Sequence, residues 1–78
     1  MGFAVIELQT AADGSIASLI YGFADITKSE AENRADAEAK YHTVLAYAAK
    51  SGLPCYAAVI MRNDGTVLNK QAYKHEEE

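Results

Sequence analysis

The chain has 78 residues, of which 50% are hydrophobic and 23% charged, with one proline and a net charge of -4. That balance excludes a disordered chain, and the length allows one domain, 1–78, which buries only a little over roughly 60% of the surface its unfolded chain exposes. Glu76, Glu77 and Glu78 carry three of the four net negative charges and read as a frayed, solvated end; the near-neutral body lacks the basic stripe that nucleic-acid binding requires.

The first two elements form a hairpin. Phe3 to Gln9 and Ile16 to Phe23 are rich in the Val, Ile, Tyr and Phe that suit a pleated surface. Asp13-Gly14 lies between them, and a tight hairpin needs positive φ at its central residues, which Gly adopts without steric cost and Asp tolerates.

A helix follows, with Thr27 or Ser29 as its N-cap and Glu30 and Glu32 in the first turn, where carboxylates meet the positive end of the helix dipole. Thr27 with Glu30 has capping-box spacing. The stretch to Lys50 is alanine-rich and strongly helix-forming, and Ala37, Tyr41, Val44, Leu45 and Ala48 recur at the spacing of one buried stripe. Lys50, Gly52 at the expected C′ position and Pro54 end it.

A second hairpin closes the chain. Cys55 to Arg62 is nearly continuous in apolar character and reads as a central strand, whereas Val67 to Tyr73 alternates with Asn69, Lys70 and Gln71 and reads as a more exposed one. Asp64-Gly65 repeats the first turn signal. Two hairpins around one helix predict an α+β, ββαββ fold: a four-stranded antiparallel sheet with one long helix packed on it.

Strand alternation leaves more apolar surface than one helix covers. Ile6 and Leu8 oppose Phe3 and Val5, while Leu19, Tyr21 and Phe23 oppose Ile16 and Ile20. Ala46, Tyr47 and Ala49 likewise fall outside the helix stripe. Disulfides, a structural metal and self-association are the usual supports of so small a domain. The single Cys55 removes the first within one chain, and two histidines with one cysteine argue against a protein-only zinc site. A homo-oligomer is therefore expected.

Signals for chemistry are weaker. Glu38 precedes His42 by four residues, on one helix face, and a carboxylate beside an imidazole can orient a general base. No nucleophile stands at a recognisable spacing, so a solvated Glu–His pair explains the same residues. Tyr41 reads as a core aromatic whose hydroxyl reaches the edge. Cys55, on a strand expected to be buried, behaves as a small hydrophobe. No Gly-x-Ser-x-Gly elbow or Walker lysine occurs, and Asp13 and Asp64 are explained by their turns. An enzyme is not expected, and no cofactor is implied.

Arg62 at the end of the third strand, with Lys70, Tyr73, Lys74 and His75 on or after the fourth, gathers cations and an aromatic ring along one hairpin. Such groups can hold a phosphate and stack on a base, although lysines on an edge strand also discourage unwanted pairing. The candidate ligand-binding residues are thus Tyr41, His42, Arg62, Lys70, Tyr73 and His75. Met1-Gly2-Phe3 begins no charged and apolar leader, and no apolar run approaches the roughly 20 residues of a membrane span, so a cytoplasmic protein is expected.

Several segments resemble small accessory proteins of phages and prophages of gut Firmicutes. They are Ile6-Glu7-Leu8-Gln9 followed by Ala12-Asp13-Gly14, Tyr21-Gly22-Phe23-Ala24-Asp25, Ala37-Glu38-Ala39-Lys40-Tyr41-His42-Thr43 running into Ala46 to Ala49, and Tyr73-Lys74-His75. From Ile26 to Arg34 the chain is longer than this likeness leads one to expect. The resemblance implies a phage-encoded accessory protein in the host bacterial cytoplasm. Two functions then compete. One is an oligomer that binds a host nucleotide signal in pockets between subunits and withholds it from an immune pathway; the other is an interaction module for virion or tail assembly. Replacing Arg62 and Lys70 with Ala is expected to weaken an anionic ligand without unfolding the chain; unchanged binding in a titration would exclude both as ligands.

Overall fold

The computed structural model describes residues 2–75; the acidic end, 76–78, lies outside the described residues. Strands β1 (Phe3–Thr10), β2 (Ile16–Phe23), β3 (Cys55–Arg62) and β4 (Val67–Lys74) form one antiparallel sheet in the order β2-β1-β3-β4. The helix α1 (Glu30–Lys50) joins edge strand β2 to central strand β3 and packs on one face, giving the expected ββαββ arrangement.

Both hairpins turn the same way. Gly14 N–H donates to Ala11 C=O at 2.9 Å and Gly65 N–H to Arg62 C=O at 3.0 Å, with φ of 88° and 95° at the two glycines. The expectation of left-handed backbone at both central residues needs correction, because Asp13 and Asp64 keep negative φ. Each loop is one residue longer than a two-residue turn, and the following glycine alone takes the left-handed position, as in a G1 bulge. The aspartates serve differently: Asp13 Oδ1 accepts Ser15 N–H and Asp64 Oδ1 accepts Thr66 N–H, both at 2.9 Å. These bonds hold both carboxyls below their ordinary range.

Residue alternation sorts each strand between a helix-covered face and an open one. Phe3, Val5, Tyr56, Ala58 and Ile60 are buried beneath Ala37, Tyr41, Val44 and Ala48. Alanines at two of those four helix positions let α1 lie close to the sheet, and burying a side chain such as Val5 or Val44 is worth about 1.5–3 kcal/mol. Leu45, expected in the stripe, is half-buried at its margin, and Asn33 is buried in line with it. Asn33 accepts Asp25 N–H and donates to Asp25 C=O, both at 3.1 Å, and so ties the β2–α1 loop to the helix.

The helix ends differ from expectation. Ser29 is the N-cap: Ser29 Oγ accepts Glu32 N–H at 3.1 Å, and Glu32 Oε1 accepts Ser29 N–H at 2.8 Å. Thr27 is unavailable because its N–H and hydroxyl both donate to Asp25 Oδ1, at 2.9 and 2.6 Å. Glu30, freed from any capping box, accepts Arg62 Nη1–H at 3.0 Å. At the other end Ser51 caps α1 in extended conformation, and Gly52 does not take positive φ. The imidazole of His75 supplies an alternative partner, 2.9 Å from Ala48 C=O. A carbonyl only accepts, so this bond requires a proton on Nε2.

In β4 the register slips between Ile60↔Asn69 and Met61↔Val67. Leu68 is the extra residue, and the bulge lets it pack against the core from an otherwise polar edge strand. Ser29→Ala should cost about 1 kcal/mol, lowering the melting temperature by roughly 4–8 °C. Thr27→Ala should cost less; calorimetry of both variants distinguishes the two caps.

Candidate functional site

The six residues singled out from sequence do not converge on one site. Tyr41 is 2% exposed, and its hydroxyl has no hydrogen-bond partner among the described residues. Burial, then the nearby Tyr73, raises its pKa. His42 is exposed on the next helix position, its ring edge-on to Tyr41 at 5.6 Å between centroids. Arg62 lies at the turn end of β3 on the helix side, paired with Glu30 and with its guanidinium carbon 5.5 Å from the Phe3 ring centroid.

Tyr73 sits near the opposite end of the same hairpin, facing Tyr56 across the ladder. Six residues of strand separate that level from Arg62, a distance of roughly 20 Å. The Tyr73 ring stacks on His75 at 6.5 Å and 10°, and its hydroxyl accepts Gln71 Nε2–H at 3.1 Å. Lys70 pairs with Val59, so it stands on the open face while Tyr73 stands on the helix face. The structure brings Tyr41 to His42 and Tyr73 to His75. Arg62 and Lys70 join neither pair.

Around Tyr41 and His42, the gap between α1 and the β3–β4 hairpin forms a cavity of about 140 Å³ lined also by Arg34, Glu38, Ile60, Leu68 and Asn69. The carboxylate beside His42 is committed elsewhere: Arg34 Nε–H donates to Glu38 Oε2 at 3.2 Å. The cavity therefore has an aliphatic floor of Ile60 and Leu68 beneath a rim of guanidinium, carboxylate, imidazole and amide. On the β2 side, a wider depression borders Phe23, Asp25, Lys28, Asn33 and Asp36. Its cation and Asp36 neutralise each other at 2.7 Å.

The most heavily bonded polar group went unremarked in the sequence. Glu7 is 6% exposed on the helix face of β1. Its Oε1 accepts the Tyr21 hydroxyl at 3.0 Å, and its Oε2 accepts the Tyr56 hydroxyl and Gln9 Nε2–H, the latter at 3.1 Å. Lys40 lies above the Tyr21 ring, its Nζ 4.1 Å from the centroid. Burial alone raises the Glu7 pKa, but the hydrogen bonds from Tyr56, Tyr21 and Gln9 and the charge of Lys40 stabilise the anion and outweigh it, so the carboxyl stays below its ordinary value. The same contacts act oppositely on the phenols: burial first, then Glu7, pushes Tyr56 up to about 12. Strand alternation was the available signal, since Glu7 follows Phe3 and Val5 on one face and Gln9 comes next on it; the two phenols lie on β2 and β3 and emerge only from the pairing.

Three glutamate contacts of this kind bind and orient, but no nucleophile adjoins them. Cys55 is half-buried at the start of β3, opposite Thr10 and Lys74, rather than buried. That end of β3 is covered only from one side. Among the described residues, no cluster of three or more His, Cys, Asp or Glu is arranged to hold a metal ion, and no helix is long and apolar enough to cross a membrane. No family model, curated protein or solved structure matches this chain.

The depressed Glu7 pKa has a defined pH consequence. A carboxyl whose folded pKa lies below its unfolded value adds stability above that unfolded value, and the contribution disappears as pH falls through the folded one. Urea midpoints should hold steady down to about pH 5 and fall below 4.5, the ordinary glutamate value. Glu7→Gln should lose about 1.5–3 kcal/mol at neutral pH and show a shallower acid decline. The residual slope belongs to Asp13, Asp25 and Asp64, whose carboxyls are also depressed by local hydrogen bonds.

Proposed function

We propose that the chain is a non-enzymatic binding protein that acts as a homo-oligomer in the cytoplasm and holds a nucleotide-type small molecule. The observation that carries this reading is the uncovered apolar face of the sheet, where Ile16 and Ile20 are 70% and 71% exposed and Val67 48%. A soluble chain rarely leaves so continuous a patch in water.

Two features favour a small anionic, ring-bearing ligand. On the open face, Ala57 and Ala72 floor a hollow of about 300 Å³ with Lys70 and Val59 at its border. On the helix side, His42 and Asn69 rim the cavity beside Tyr41, together with Arg34 held by Glu38. Apolar walls with a cation at the border suit a base and its phosphate, and sites of this composition often lie between subunits. The likeness to phage accessory proteins gives the binding a purpose: sequestering a nucleotide-derived immune signal of the host, which requires no catalytic residue.

Thermal-shift screening with cyclic dinucleotides and ADP-ribose derivatives tests the reading. A ligand that binds only the folded state at a hundred times its Kd adds about 2.7 kcal/mol of stability. Lys70→Ala should reduce the shift, whereas silence toward every nucleotide, with co-purification of a tail component, would favour an assembly accessory instead.

A further inference from the structure

We infer that the open face of the sheet is a homodimer interface in which the two sheets stack face to face about a dyad parallel to the strands, so that β2 of one protomer covers β4 of the other. The inference rests on the homo-oligomeric reading and specifies its interface.

Area comes first. Four strands about 4.8 Å apart and eight residues long make a face of roughly 19 by 26 Å, on the order of 500 Å². Two such faces bury on the order of 1,000 Å², the size at which a specific association separates from incidental contact. The face is suited to it: by register, Lys70 and Lys74 are its only charged strand residues, and both lie on β4.

Charge then selects the symmetry. Two stacked antiparallel sheets can be related by a dyad across the strands or along them. The first sets β4 on β4 with the strand direction reversed, bringing the two copies of Lys70, which lies near mid-strand, against each other. The second sets β4 on β2, where the lysine stems lie over apolar side chains and the ammonium groups reach the rim.

Shape selects the same dyad independently. Ile16 and Ile20 stand proud on β2, and the alanine-floored hollow lies on the other half of the face, between β3 and β4. A dyad along the strands places the isoleucine ridge over that half. A dyad across them places ridge on ridge. In the resulting sandwich the helices lie outermost, and each hollow is roofed by the partner's β2.

Light scattering should report twice the 8.4 kDa chain mass. At the strongly exposed position 20, Ile20→Lys should weaken the dimer at least tenfold by meeting the partner's lysines, and Ile20→Glu should weaken it far less. Far-UV circular dichroism of both variants verifies the fold. In a Cys55→Ser background, a mixture of Ser18→Cys and Ala72→Cys chains should give a covalent dimer with a short bis-maleimide, and neither chain alone should. Equal weakening by Lys and Glu, or cross-linking of Ser18→Cys with itself, would overturn the dyad. An oligomer whose mass ignores both substitutions would overturn this interface but leave self-association standing, and a monomer at every concentration would overturn both. Nucleotide binding is read separately, by thermal shift.

Discussion

One helix cannot cover a four-stranded sheet, and most features of this molecule follow from that mismatch. A helix is about 10–12 Å across with its side chains, while four strands span roughly 19 Å. Even the covered face is incompletely sealed, since Leu19 on β2 and Tyr47 on α1 remain 50% and 63% exposed. Among the described residues nothing covers the other face. The chain's apolar content is thus divided between a thin core, built from Phe3, Val5, Val44 and Ile60 with small alanines opposite, and a surface whose chemistry resembles that core.

Of the polar groups caught in the covered layer, Glu7 and Asn33 find partners, whereas the Tyr41 hydroxyl has none among the described residues. Glu7 sits where alternation would place another hydrophobe, and it is tolerated because two phenols and an amide replace the water it loses. Gln9 also donates to the Tyr56 hydroxyl, at 3.1 Å, closing the network. Asn33 does comparable work at the other end, using both faces of its amide on one residue, Asp25. These two groups join β2 and the loop after it to the rest of the fold by directional bonds, where the helix packs less than it does on the two central strands.

The hairpins and the helix were legible because each rests on local chemistry. Asp-Gly marked both turns, and the alanine-rich run between carboxylate-rich and glycine-proline ends marked α1. The site was less legible. Tyr41 and His42 are neighbours on one helix and remained together, and Tyr73 and His75 are two apart along an extended end and stacked. Arg62 and Lys70 are close to Tyr73 and His75 in sequence as parts of one hairpin, but strand parity sends Lys70 to the opposite face, and strand length carries Arg62 away from Tyr73. Competition between caps was equally hidden: Thr27 and Ser29 are both suitable residues, and only the position of Asp25 disqualifies the first.

Sequence by itself determined the kind, number and order of the elements, and through alternation the surplus of apolar faces, since these depend on neighbours within a few residues. Tertiary structure alone decided that β1 rather than β2 lies beside β3, where Leu68 bulges inward, and how Tyr21 and Tyr56 converge on Glu7. Those outcomes depend on pairing between segments up to about fifty positions apart, where register, rather than local preference, sets which side chains meet.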